Sequence, residues 1–273
     1  MSRRWLSLVF LAGAAPLVAQ GVMIAPTAVV MDHRTRSGNV TLYNPGNEPV
    51  EVRISSFFGY WTTDSTGALS LHEGTAADSA APSAAGWIQA FPRRLTVAPL
   101  ERQTIRLLAT PPAGLPDGEY WMRLVFEAKA GAVPVSGVAD TSKIVVGLQL
   151  QMRTIIGVAY RKGSVHTGVA VSNLRARPVD DSVEVRVRLE RQGNAAFVGT
   201  VKWTVTDSAG KTLGELASPI GVYFRLEPRY RVPVGVLPRG RYWVKVEANT
   251  DRADPEGILR APAVRDSLAL VVP

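Results

Sequence analysis

The side chains best suited to proton transfer or metal binding near neutral pH are three histidines, His33, His72 and His166. Asp32 and Glu73 each adjoin one of them. Sequence neighbours in an extended chain point to opposite sides, so neither pair makes a ligand set or an acid–base couple. No His-Glu-x-x-His run, Gly-x-Ser-x-Gly elbow, P-loop or dinucleotide fingerprint occurs. The adjacent carboxylates Asp180 and Asp181 fall in a turn ahead of a strand pattern, where such pairs are solvated. An exported hydrolase would need a nucleophile–base pair, and the sequence offers none. The expectation is a binding protein rather than an enzyme, with no catalytic residue, metal, cofactor or small-molecule substrate. Asn39 heads an Asn-Val-Thr glycosylation sequon, a pattern short enough to arise by chance.

The elements that would position any binding surface are strands. "VEVRVRLER" (Val183–Arg191) alternates apolar and charged residues, and "GNVTLYN", "VEVRIS", "YWVKVEA" and "LALVV" share the period of two. Between them lie "NPGNEP", "DSTG", "LPDG", "DSAG" and "LPRG", all turn chemistry. No amphipathic helix pattern is found. Three phrases recur in the same order in both halves of the chain. They are an Asn followed five residues later by Pro-Val (Asn44 and Asn173), the stretches "LTVAPLERQTIRL" from Leu95 and "FRLEPRYRVPV" from Phe224, and the LP-x-G-x-YW phrase at Leu115 and Leu237. The expected fold is all-β, two tandem immunoglobulin-like sandwiches.

The repeated LP-x-G-x-YW phrase reads as a corner in which a tyrosine at the start of a strand returns its hydroxyl to the backbone upstream, here Tyr120 and Tyr242. Tyr120, Met122, Leu124 and Phe126 then share a core face, as do Tyr242, Val244 and Val246. Trp121 and Trp243 face the other way, onto a neighbouring domain or the solvent. Gly74–Gly86, small and polar, reads as a mobile loop.

The N-terminus carries Arg3 and Arg4, an apolar run from Trp5 to Val18 and a small residue, Ala19, the order of a secretory signal peptide. The expected organisation is a cleaved signal over 1–20, one domain over 21–158 and a second over 159–273. An exported chain without cysteine has no disulfides, so each domain must be stable through its own core. The formal net charge of +8 includes Arg3 and Arg4. For an exported chain this excess favours acidic partners or anionic surfaces over nucleic acid, or is simply a solvated basic surface.

Three stretches of the first domain carry a family resemblance: "PTAVVMDHRTRSGNVTLYNPGNEPVEVRI", "PRRLTVAPLERQTIRLLATPPAGLPDGEYWMRLVFEA" and "KIVVGLQLQMRTIIGVAYRKG". In their order and spacing the chain resembles the periplasmic pilus-assembly chaperones of the chaperone–usher pathway. The second domain looks like a generic immunoglobulin-like module. The resemblance implies a periplasmic chaperone that binds pilin-like subunits, and in turn an outer-membrane usher. It does so by donor-strand complementation, in which strand G of the first domain adds to an incomplete subunit sheet. Val146, Leu148, Leu150 and Met152 alternate with Gly147, Gln149 and Gln151 and would be the donor row. A strand G turned to its own core would show the same alternation. The family's two basic anchors for the subunit's terminal carboxylate align with Ala28 and Gly157, neither of them basic. Arg153, on the strand face of Gly157 and roughly 13 Å from it at about 3.3 Å per residue, is the candidate substitute. The missing anchors leave a second expectation open, a structural or scaffold protein of the cell envelope.

Overall fold

A computed structural model describes residues 21–75, 78, 81–130, 151–252 and 257–273. Two β-sandwiches follow one another along the chain. In the first, one sheet holds β1 (Met23–Ala25), β3 (Ser37–Tyr43), β9 (Arg102–Ala109) and β7 (Ile88–Phe91) in that spatial order. The facing sheet holds β2 (Ala28–Asp32), β11 (Gln151–Lys162), β10 (Gly118–Ala130), β4 (Val50–Phe57) and β8 (Arg94–Val97). The first strand thus changes sheets. β1 pairs antiparallel with β3, and after Pro26, which has no N–H to donate, β2 pairs parallel with β11. β5 (Gly59–Thr63) and β6 (Leu69–Glu73) form a separate hairpin.

The second sandwich packs β12 (Thr167–Val179), β13 (Ser182–Gly193), β16 (Arg225–Leu226) and β17 (Arg229–Pro233) against β15 (Thr212–Val222), β14 (Phe197–Asp207), β18 (Gly240–Asn249) and β19 (Val264–Val272). Both sandwiches have the immunoglobulin-like division of strands between two sheets. The chain leaves the first at Lys162 and enters the second at Thr167. Among the described residues there is no α-helix, and none long and apolar enough to cross a membrane.

Alternation decides which side chains are inside. In β9, Ile105, Leu107 and Ala109 are buried and Arg102, Thr104, Arg106 and Leu108 are exposed. In β13, Val183, Val185, Val187 and Leu189 are fully buried. Each sandwich has its own apolar core, and a third cluster joins Phe58 and Trp121 of the first domain to Ala196, Tyr223 and Phe224 of the second.

The two LP-x-G-x-YW corners have matching geometry. Tyr120 Oη donates to the Pro116 carbonyl at 2.9 Å, and Tyr242 Oη to the Pro238 carbonyl at 2.8 Å. The Asn–Pro-Val phrases diverge. Asn44 follows β3 and is fully buried; its Nδ2 donates to the carbonyls of Glu48 (2.7 Å) and Val97 (3.0 Å). Asn173 does not end its strand. It sits inside β12 at φ 53°, where the register to β13 shifts between Ser172 and Arg175. Asparagine tolerates this left-handed backbone, so the same spacing gives a loop in one half and a bulge in the other.

Part of the Gly74–Gly86 segment is held rather than loose. Ser83 bridges Trp121, the Ala84 N–H donates to the Trp121 carbonyl at 2.9 Å, and the Trp121 N–H donates to the Pro82 carbonyl at 2.8 Å. Ala84 is fully buried, because a methyl side chain lets that segment lie directly on β10.

Candidate functional site: the partly covered edge of β11 and the interdomain cleft

β11 pairs along its whole length with β10, from Gly118↔Lys162 to Lys129↔Gln151. On its other side β2 covers only Gly157 to Arg161. Among the described residues, no strand pairs with Gln151–Ile156 on that second side. Among the described residues this side of β11 is therefore a sheet edge, the feature to which a further strand can add.

The side chains of β11 alternate as follows. Ile156, Val158 and Tyr160 are buried in the core of the first sandwich, and Met152 lies on the same strand face but is 44 % exposed. Met152 is thus the first described residue of the core-facing row, and it lies against Gly21. Val146, Leu148 and Leu150 lie outside the described residues.

Ala28 and Gly157, the positions aligned with the two basic anchors, are partners in the β2–β11 pairing. The neighbouring basic group comes from the next strand. Arg123 of β10 pairs in register with Gly157, and its Nη1 lies 3.1 Å from where a Cβ on Gly157 would stand. A larger residue at 157 would compete with that guanidinium for space. Arg123 is only 6 % exposed. Its Nε donates to the Gly59 carbonyl at 3.0 Å, and the guanidinium lies 4.9 Å from the centre of the Tyr223 ring. Its Nη2 is buried and has no hydrogen-bond partner among the described residues. A buried, charged donor without an acceptor is costly, and a carboxylate brought to it would relieve that cost. Arg153 is engaged elsewhere: its Nη2 lies 3.3 Å from Oε1 of Glu73, and both side chains are about half exposed.

Gly157 and Tyr223 also line a cleft of about 90 Å³ between the domains, together with Ala28, Trp121, Ala196 and Leu259. Glu119 fixes this cleft. Its Oε1 accepts from the Trp121 indole N–H at 2.7 Å and from the Ala196 backbone N–H of the second domain at 3.1 Å. Its Oε2 accepts from Arg161 Nε at 2.7 Å. The Glu119 backbone N–H donates to the Asn194 carbonyl, another tie between domains. The tip of the β5–β6 hairpin reaches the second sandwich as well: the Arg229 N–H donates to the Gly67 carbonyl at 3.0 Å, and the Glu227 N–H to Thr63 Oγ1 at 2.9 Å.

Sequence reading did not find Arg123 or Glu119. Each sits in a strand between core residues on the opposite face, a pattern that reads as solvent-facing. The only signal was glycine at 157, opposite an arginine. The three histidines are far apart in role: His33 Nδ1 lies 2.7 Å from the Tyr160 hydroxyl, His72 Nε2 lies 3.1 Å from Asp78, and the His166 carbonyl accepts from Asn194 N–H. The backbone N–H of Thr75, and then the His72 ring, hold the Asp78 carboxyl down to about 2.

No protein-family model matches the chain, and no curated protein matches it. Among solved structures the chain is similar to the YadV chaperone, at 20% identity over 91% of this chain and 99% of that one, with a TM-score of 0.44. It is similar to a chain in the Salmonella enterica SafA pilin complex with the SafB chaperone, at 15% identity over 93% and 99%, TM-score 0.45. It is similar also to the E. coli chaperone DraB, at 14% identity over 84% and 89%, TM-score 0.45.

Proposed function

We propose that this chain is a periplasmic chaperone-like binding protein, not an enzyme, that lends strand β11 to an incomplete β-sheet of a pilin-like or other surface-fibre subunit. The observation that carries this reading is the half-paired β11, whose residues Gln151–Ile156 lack a second neighbour among the described residues while Met152 is exposed on the core-facing row. The donor row would extend from Met152 back through Leu150, Leu148 and Val146. The subunit's terminal carboxylate would meet Arg123, beside the cleft, in place of basic residues at 28 and 157. The unpartnered Nη2 of Arg123 supports that assignment, and the Glu73 contact of Arg153 argues against using Arg153.

The test is co-expression with a candidate subunit, periplasmic extraction and co-purification. Leu150→Asp or Met152→Asp should abolish recovery of the subunit while the protein keeps its unfolding midpoint. Arg123→Met should lower affinity by at least ~30-fold, in line with about 2 kcal/mol or more for a lost charge-assisted pair. If Leu150→Asp and Met152→Asp both unfold the first domain, the row belongs to its own core and the reading fails. A homopolymer in the extract, with no subunit, would instead support an envelope scaffold.

A further inference from the structure

The outward face of the β12–β13–β16–β17 sheet is an arginine field. Arg175 and Arg177 of β12, Arg186 and Arg188 of β13, Arg225 of β16, and Arg229 and Arg231 of β17 all alternate with the buried row of the second core. Three glutamates share the face: Glu184, Glu190 and Glu227. No lysine occurs in these four strands. Arg175 is directly opposite Arg186, which is directly opposite Arg229, so three like charges sit side by side across three strands. Like charges in opposed positions destabilise a sheet, so folding alone does not favour this row.

Part of the field is already engaged. Glu184 takes Arg177 at 2.9 Å and Arg229 at 3.8 Å, and Glu227 takes Arg188 at 2.7 Å. Arg186 donates to the Ser65 and Thr66 carbonyls of the β5–β6 hairpin tip. Arg175, Arg225 and Arg231 remain exposed and form no ion pair among the described residues, although Arg175 Nε donates to Asn173 Oδ1 at 3.2 Å. Along a strand, alternate side chains lie about 6.8 Å apart, and neighbouring strands about 4.8 Å apart.

We propose that this face docks an acidic, extended polypeptide segment whose carboxylates recur at alternate positions. The inference is independent of the edge of β11. The guanidinium forks pair bidentately with carboxylate and phosphate alike, so the charge pattern of the face is what favours a polypeptide over a lipid surface. The interleaved glutamates suit a partner with its own charge pattern, and the uncharged outward residues Ala170, Ser172, Val179, Ser182 and Pro233 include no aromatic or long aliphatic side chain. A plane of lipid phosphates would be pressed against those glutamates and would gain no apolar insertion.

The probe is a fluorescent peptide of alternating Glu and Ala, with vesicles of phosphatidylglycerol in phosphatidylcholine as the second arm. The double variant Arg175→Glu, Arg231→Glu should weaken peptide binding at least ~10-fold at about 0.1 M salt. The control Arg34→Glu, Arg93→Glu, with the same change in net charge on the first domain, should weaken it less than ~3-fold. Should charge reversal unfold the domain, Arg175→Gln with Arg231→Gln gives the same readout. Equal losses in both double variants, or no saturable peptide binding by the unaltered protein, would overturn the proposal. Vesicle binding tighter than peptide binding and lost in the same variants would reassign the face to lipid.

Discussion

Glu119→Ala is the perturbation whose consequence is best defined. Glu119 is 4 % exposed and accepts three side-chain-directed hydrogen bonds, from Trp121 Nε1, Ala196 N and Arg161 Nε. Truncation leaves two buried neutral donors without an acceptor and strands a guanidinium whose side chain is 17% exposed. Each neutral donor left unmet costs about 1–3 kcal/mol. Removing one member of a buried ion pair costs about 3–5 kcal/mol, and the terms overlap because one carboxylate supplies all of them. A total of about 3–5 kcal/mol is therefore expected. Glu119→Gln keeps a carbonyl oxygen for Trp121 and Ala196 but turns an amide NH2 toward Arg161 Nε–H, losing that charge-assisted bond, so it should cost about 1.5–3 kcal/mol. The assay is urea unfolding followed by tryptophan fluorescence, since Trp121 lies at the domain junction. The alanine variant should also separate one transition into two, because the Ala196 bond crosses between domains. A loss below about 1 kcal/mol for Glu119→Ala, with a single transition retained, would refute the idea that this carboxylate fastens the cleft.

Three further outcomes are expected. Tyr120→Phe and Tyr242→Phe should each cost about 1 kcal/mol in chemical denaturation, and the double variant should be additive because the corners lie in different sandwiches. Asn44→Ala, which removes two side-chain hydrogen bonds to backbone carbonyls, should cost about 2–4 kcal/mol, whereas Asn173→Ala, at an exposed bulge, should cost only the left-handed backbone penalty of about 1 kcal/mol; equal costs would mean that the two halves use the phrase alike. The Asp78 carboxyl, held to about 2 from 3.8, favours the folded loop at every pH above the ordinary value. That contribution should fade as pH falls from about 4 through about 2. A carboxyl-carbon NMR titration should find the midpoint near 2, and a midpoint near 4 would remove the clamp.

Much of the architecture was legible in the chain because the evidence for it is local. A period of two with glycine and proline turns dictates strands wherever it occurs, and a tyrosine four residues after a proline carbonyl can close a corner without help from distant residues. Ala28 and Gly157 were singled out only by the family resemblance, which places basic residues at those positions. Burial on the second face of a strand is not local. Trp121 and Trp243 occupy the same place in the same phrase, yet Trp121 is 2 % exposed and Trp243 is 40 % exposed. The difference is that Tyr223, Phe224 and Ala196 of the second domain cover one and no domain covers the other among the described residues.

Arg123 and Glu119 follow the same logic. Flanked in sequence by core residues, each reads as a charge turned to water, and each is buried because a second sandwich closes over that face. The amino-acid sequence by itself determined the class of fold, the tandem and the two tyrosine corners, since these follow from backbone propensity and alternation. The tertiary structure alone decided that Gly157 leaves room for the Arg123 guanidinium. It also decided that Glu119 ties two domains and that β11 is covered by β2 over only part of its length. Those are facts about which surfaces meet, and no local pattern encodes them.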